Sequence, residues 1–405
     1  MEGECSGDVI ATIEESCEEL REGKFIILVD DEDRENEGDL VMAAEMITPE
    51  AVNFMEKHAR GWICVPLPRE RLQILKIPLM VRDNTSRFST AFTVTVDYKY
   101  GTTTGISASD QATTIRALVD EKSTAQDFAQ PGHVCPIQAV DGGVLKRAGH
   151  TEASLDLVRL AGMKAGSVIC EVKKEDGSMA RLPDLMPFAE EHDIKIVTIA
   201  DLIAYRRRNE KLIEKIARAD LPTRAGDFEV VAFRSIVDDD SYIALVKEPV
   251  EDGALVRVHS ACLTGDVFHS QRCDCGEQLE AALNRIGEEG GILLYIQSHE
   301  GRGIGLLNKI KAYELQDHGL DTLEANEALG FKEDLRDYGI GAQILGELGA
   351  KRISLMTNNP RKIVGLESYG LEVIEVVPLE VFPNRNNSSY LKIKKDKMGH
   401  ILSKV

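Results

Sequence analysis

A chain of 405 residues, 43% hydrophobic and 29% charged, can bury two cores of roughly 200 residues each and suits two domains better than one. No run approaches the roughly 18 apolar residues of a membrane helix, which argues against a membrane partner. The formal net charge of −20 repels a phosphate backbone, so nucleic acid is not an expected partner, and any site for a small phosphorylated substrate must reverse the sign locally with Arg, Lys or metal.

The acidic start, Met1 to Asp8, has neither the basic n-region of a secretory signal nor the acid-poor character of a transit peptide, so the chain reads as cytoplasmic. Of eight cysteines, Cys5, Cys17, Cys64, Cys135 and Cys170 are scattered and read as small buried hydrophobes. Cys262, Cys273 and Cys275 are clustered.

In chain order, Phe25–Val29 reads as a buried strand that runs into Asp30–Asp39, where seven of ten residues are carboxylates. The bland reading is a solvated acidic loop. An EF-hand fails: with Asp33 first, Gly38 stands sixth but Ala44 occupies the twelfth place that Glu must fill. Carboxylates this dense repel unless cations bind, which favours Mg²⁺. Thr48 to Arg60 reads as a helix with Thr48 as N-cap and Pro49 in the first turn. Ala91–Asp97 alternates as one half-exposed strand. Gly142–Thr151 opens a helix with an Arg, a His and exposed N–H groups. His133, and Glu171 in an apolar strand, are titratable candidates whose ordinary role is structural.

Near residue 200 the character changes. Asp201 to Arg218 reads as a basic helix, better taken as a solvated face than as a nucleic-acid patch. Leu221–Gly226, with its Pro and Gly, resembles a domain junction, and the boundary is placed at 199/200. Strands follow at Glu229–Arg234, Tyr242–Lys247, Ala254–His259 and Gly291–Gln297, then a helix from Leu306 to Gln316. Without a strict βαβ repeat the fold class is α+β: two mixed α/β domains in tandem, 1–199 and 200–405, each a mixed sheet flanked by helices.

Cys262 is followed by ten residues and then Cys273-Asp-Cys275. Two thiolates one residue apart can hold one Zn²⁺ if the backbone between them turns. A closed structural site takes four protein ligands, a catalytic one three plus a water. His259 or His269 could be the fourth ligand, so spacing leaves both forms open. Glu300–Gly305 between strand and helix, and Thr357–Lys362 with two cations, are phosphate-binding turns of low specificity when taken singly.

Taken together, Arg257–Asp266, Arg272–Gly276, Gly291–Tyr295, Glu300–Leu306, Asn308–Tyr313 and Thr357–Pro360 resemble GTP cyclohydrolase II, collinearly over nearly all of 200–405. The resemblance implies one zinc on Cys262, Cys273 and Cys275, with a water as fourth ligand activated for attack on C8 of the purine, and Mg²⁺ on the triphosphate. It implies GTP contacts at Arg257, Val258, His259, Ser260, Ala261, Gln278, Glu300, Gly301, Arg302, Thr322, Thr357 and Lys362, with Tyr313 assisting near the zinc. Asp334 and Arg336 match the family's base and nucleophile. A guanidinium is effectively always protonated, so charge stabilisation at the departing pyrophosphate is the blander role for Arg336. Asp334 doubles as a potential N-cap. Ala261 and His299 depart from the family's usual Glu and Gln, which touches substrate affinity rather than chemistry.

Asp30–Asp39, Asp83–Arg87, Thr103–Ser107, Pro131–His133, Arg147–Thr151 and Met179–Asp184 are similar to 3,4-dihydroxy-2-butanone 4-phosphate synthase, over about residues 8–199. That resemblance implies Mg²⁺ or Mn²⁺ on Glu35 and His150. It places D-ribulose 5-phosphate on Arg34, Glu35, Asp39, Arg147, Ala148, Gly149, His150, Thr151 and Glu171, with His133 and Glu171 moving protons. It implies a site at a homodimer interface, hence a homodimer or higher homo-oligomer. Cys135–Gln138 departs where Phe and Arg are more usual. The order of the halves resembles the fused riboflavin-biosynthesis family, which supplies both riboflavin precursors. The alternative, one catalytic half and one scaffold half, is opposed by intact motifs on both sides.

Overall fold

Alternate side chains of β1 (Ile26–Val29) enter two different cores: Ile27 and Val29 join one hydrophobic cluster, Ile26 and Leu28 another. A strand buried on both faces must read as an unbroken apolar run, as this one does. The remaining strands of the first half are β2 (Gly38–Ala43), β3 (Cys64–Leu67), β4 (Ala91–Phe92), β5 (Val96–Tyr98), β6 (Phe128–Gln138), β7 (Ser167–Glu171) and β8 (Lys195–Thr198). They form one mixed sheet in the order β4-β6-β3-β7-β2-β1-β8, with β5 also on β6. Helices Pro49–Phe54, Ala108–Val119 and Leu182–His192 supply one core, Ile13–Arg21 and His150–Leu160 the other. The computed structural model describes residues 9–404 except 238–239, 332–335, 337, 368 and 398.

The chain divides into two compact units, Met1–Arg206 and Arg207–Val405. The second contains β9 (Ile213–Thr223), β10 (Gly226–Ser235), β11 (Ser241–Lys247), β12 (Ala254–Ser260), β13 (Gly291–Ile296), β14 (Arg352–Met356) and β15 (Glu372–Val377), in the order β15-β14-β12-β13-β11-β10-β9. The β15 to β13 half is parallel, and the rest is antiparallel. Val256, Val258, Leu294 and Ile296 face the helix Gly339–Glu347, while Leu255 and Leu293 face Cys275–Glu289. Each unit is thus a mixed sheet flanked by helices.

Three expectations need correction. Ala91–Asp97 is not one strand but β4 and β5, because Thr93 turns its N–H and hydroxyl onto the Pro136 carbonyl (3.1 and 2.8 Å) and the register on β6 shifts at Val96/Asp97. The helix expected through Arg218 stops at Asn209, and Ile213–Thr223 is an edge strand. There pairing with β10 and the cross-strand pairs Arg218–Glu229 and Arg234–Glu214 override the helix-favouring composition. Leu221–Gly226 is the end of β9 and its turn into β10, not a junction; Pro222 is tolerated because the strand is an edge. The division between units falls inside the helix Ile199–Asn209. The cap expected at Thr48 is present, its hydroxyl accepting the Ala51 N–H at 3.1 Å. Cys17, Cys64, Cys135 and Cys170 are buried and free, and Cys5 lies outside the described residues.

Candidate active sites

The parallel strands β12, β13 and β14 end together, and ligands in such sheets bind outside the carboxyl ends. Ser260 to Cys262, Gln297 to Gly303 and Thr357 to Lys362 all leave from those ends. Around them lies a cavity of about 400 Å³. Among the described residues, Arg257, Arg272, Arg302, Lys309, Arg336, Lys362 and Lys394 line it against only two carboxylates, Asp317 and Asp321. The chain's acidic field is reversed where a phosphorylated substrate would sit.

Cys262, Cys273 and Cys275 open onto this cavity, with their sulfurs within 4.8 Å of one another. Cys262 caps the short helix Leu263–Asp266, and Cys275 begins the helix Cys275–Glu289, so the residue between the last two thiols is the required turn. Gly276 permits the packing: a Cβ there would stand 2.3 Å from the Gly265 carbonyl oxygen. Three sulfurs this close cannot all ionise unaided. Cys273 and Cys275 donate to Cys262 and, with Lys309, pull its thiol far down, while that same sharing pushes Cys273 up to about 11 and Cys275 well up. A soft divalent cation would displace the remaining protons.

Neither histidine considered as a fourth ligand joins the sulfurs. His259 Nε2 faces Asp266 Oδ1 at 3.2 Å and its ring stacks on Tyr295; His269 is exposed. Asp266 also accepts the Cys262 N–H (2.9 Å) and the Tyr295 hydroxyl (2.8 Å), which fixes the first thiol. Among the described residues the cluster is three sulfurs, with no His, Asp or Glu ligand atom grouped with them.

The other expected nucleotide residues divide by placement. Arg257, Ser260, Ala261, Gln278, Gly301, Arg302, Thr322, Thr357, Lys362, Tyr313 and Arg336 line the cavity, as do the departures Ala261 and His299. Both terminal nitrogens of Arg302 are buried with no hydrogen-bond partner among the described residues, which suits a guanidinium that would meet an anion. Val258 is instead fully buried in the core. Glu300 turns away to accept the Leu263 N–H and the Lys309 ammonium, both at 2.6 Å, and Lys309 reaches Cys262 Sγ at 3.1 Å. Tyr313 meets Thr264 Oγ1 at 3.3 Å, and burial pushes its phenol up to about 12. Arg336 reaches Ser260 Oγ at 3.4 Å, whereas Asp334 lies outside the described residues. The sequence reading missed Lys309 although it lay inside a quoted motif, because its sulfur partner is 47 residues away.

In the first unit the acidic loop joins β1 to β2. Asp30, with its side chain 1% exposed, organises it: Oδ2 accepts the Glu35 N–H (3.1 Å) and Arg34 (2.9 Å), Oδ1 the Glu37 N–H (2.8 Å). Asp30, Glu35 and His150 bring their ligand atoms within 4.8 Å of one another. Asp30 is the member missed from sequence, being one acid among seven; the signal was its place immediately after the strand. Asp39, opposite Glu171 across β2 and β7, is buried and pushed up to about 7 by burial, with Glu171, Glu35 and Glu37 adding to it. Burial works against a charged His150, but Asp39, Glu35 and Asp30 hold it up to about 9, the mark of a site that attracts a cation. Asp39 Oδ1 and His150 Nε2 are buried with no hydrogen-bond partner among the described residues.

His150 begins the helix His150–Leu160, capped by Gly149, whose missing side chain leaves room for Arg147 and Arg34. Arg147 is held by Glu152 (2.5 Å) and the Phe88 carbonyl (3.0 Å); Thr151 is buried and Ala148 exposed. Glu171 accepts the Trp62 N–H at 2.7 Å. His133 lies on β6, its Nδ1 2.7 Å from Asp97 Oδ2, and no hydrogen bond or ion pair among the described residues links it to Glu171 or to the Asp30–Glu35–His150 group.

Residues 14–205 match the family model for 3,4-dihydroxy-2-butanone 4-phosphate synthase, and 214–378 that for GTP cyclohydrolase II. The riboflavin biosynthesis protein RibBA of Endomicrobium trichonymphae is 57% identical over 98% of this chain and 99% of its own length. RibBA of Aquifex aeolicus is 58% identical over 96% of this chain and 97% of its own. A solved structure of RibBX, a two-domain 3,4-dihydroxy-2-butanone 4-phosphate synthase from A. baumannii, superposes with a TM-score of 0.69 at 41% identity, covering 91% of this chain and 99% of that one.

Proposed function

We infer the mechanism from the premise that this chain belongs to the family of bifunctional riboflavin biosynthesis proteins, in which 3,4-dihydroxy-2-butanone 4-phosphate synthase precedes GTP cyclohydrolase II. It is a lyase and a hydrolase in one chain. The first half converts D-ribulose 5-phosphate to 3,4-dihydroxy-2-butanone 4-phosphate and formate. The second hydrolyses GTP to 2,5-diamino-6-(5-phosphoribosylamino)pyrimidin-4-one, formate and pyrophosphate. We assign the activities to the units on either side of the helix Ile199–Asn209.

The observation that carries the second activity is the three-sulfur cluster opening on a cationic cavity. Three thiolates with a free corner fit zinc, which supplies Lewis-acid activation of water near neutral pH. Asp266 and Lys309 hold Cys262 in place, and Tyr313 stands beside the cluster with its hydroxyl proton retained. Arg302, Lys362 and Arg257 receive the triphosphate, and Arg336 stabilises charge at the leaving pyrophosphate.

In the first half, Asp30 shapes the loop, and Glu35 and His150 would hold Mg²⁺ or Mn²⁺, a hard ion that would bind the substrate's oxygens. Glu171, fixed by the Trp62 N–H, is placed to move protons during enolisation. His133, held by Asp97, is the second proton-moving group in this reading, and the assembly we propose is a homodimer or higher homo-oligomer. No described helix is long and apolar enough to cross a membrane, and the cytoplasm is the expected compartment. Incubation with each substrate separately, in Mg²⁺, should give formate from both; formate from one alone would leave the other half a scaffold.

A further inference from the structure

The helix Ser388–Asp396 lies beyond the residues matched to GTP cyclohydrolase II, which end at 378, yet Tyr390 and Lys394 on it line the nucleotide cavity. We propose that Lys394 is a positioning residue for GTP, acting through Asp274 to fix the orientation of Gln278 and Arg257. The proposal rests on the reading of this cavity as the GTP site.

Asp274 is the residue between the last two sulfurs, and its side chain is 2% exposed. A carboxylate so buried needs a hydrogen-bond partner at each oxygen. Lys394 Nζ meets Oδ1 at 2.6 Å, with 13% of its own side chain exposed. The other oxygen, Oδ2, accepts Gln278 Nε2–H at 2.6 Å, and Gln278 Oε1 accepts Arg257 Nη2–H at 2.7 Å. An ionised carboxylate can only accept and a guanidinium can only donate, so the amide between them has one allowed orientation. Arg257 is pinned in turn by donation from Nη1 to the Met356 carbonyl at 2.9 Å, and its Nε is buried with no hydrogen-bond partner among the described residues. Removing the ammonium takes away the contact that holds Asp274 Oδ1, so the carboxylate that sets the amide's direction is no longer fixed.

The last segment of the chain is built onto the same site. The Ile401 N–H donates to the Asn358 carbonyl at 2.9 Å, in the turn that carries Thr357. Leu391 is 1% exposed, so the helix keeps its own apolar anchor when Lys394 is changed.

The test compares Lys394→Gln and Lys394→Arg in the full chain, reading kcat and KM for formate release from GTP, bound zinc, and ribulose 5-phosphate turnover. Lys394→Gln should raise KM for GTP about tenfold or more, with kcat changed less, zinc retained and ribulose 5-phosphate turnover intact; Lys394→Arg should restore KM to within about threefold. A Lys394→Gln KM within about twofold of the parent overturns the proposal, as does loss of zinc or an effect that arginine does not rescue. If Lys394→Gln also abolishes ribulose 5-phosphate turnover, Asp274→Asn with Lys394→Gln, which removes both buried charges, decides: a raised KM sustains the role and a parental KM ends it. A parent chain that releases no formate from GTP refutes the cavity reading itself, whereas an active parent with an indifferent Lys394→Gln refutes only the role of Lys394.

Discussion

The two halves meet the same difficulty, a phosphorylated substrate on a chain of net charge −20, with opposite means. The second masses seven cationic side chains around a cavity and sets three sulfurs in its wall. The first does the reverse: it gathers carboxylates around one imidazole, a donor set proposed to hold a divalent cation. One site offers three sulfur donors, which would suit zinc; the other offers carboxylates and an imidazole, which would suit magnesium or manganese. The difference teaches that net charge excludes a partner class only on average, because placement of a few groups decides each site.

If the two sites are chemically separate, substitutions should act on one activity at a time. The largest effect belongs to Cys273→Ser, which should lower formate release from GTP by about 10³ or more and leave ribulose 5-phosphate turnover within about twofold. Glu35→Ala should do the reverse, by about 10². Loss of both activities in either variant would break the comparison and point to misfolding. Arg302→Lys should raise KM for GTP about tenfold, since a point charge cannot replace a buried fork of two donors. The smallest effect is expected of Arg336→Lys: roughly threefold in kcat if the side chain stabilises charge, against complete loss if the guanidinium forms a covalent bond.

The sequence disclosed those features whose signal is local. The thiol spacing, the acidic run after a buried strand and the cap at Thr48 are each contained within a few turns of chain, and the structure has each where the sequence put it. The misreadings arise where a partner far along the chain decides. Ile213–Thr223 has the composition of a helix and is an edge strand because β10 pairs with it. Asp30 differs from six neighbouring acids only in following the strand directly, and only the fold shows it accepting the loop's own N–H groups. Lys309 and Lys394 meet Cys262 and Asp274 across 47 and 120 residues, distances over which no local pattern carries information.

The claim on which the rest depends is that one chain holds two independent metal sites of unlike chemistry. The direct measurement is formate release from each substrate before and after treatment with a chelator selective for zinc over magnesium, with Mg²⁺ in excess throughout. The account predicts that GTP-derived formate disappears and returns on adding zinc, while formate from ribulose 5-phosphate is unchanged. Parallel loss of both activities, or a GTP activity indifferent to the chelator although zinc has left the protein, would contradict it.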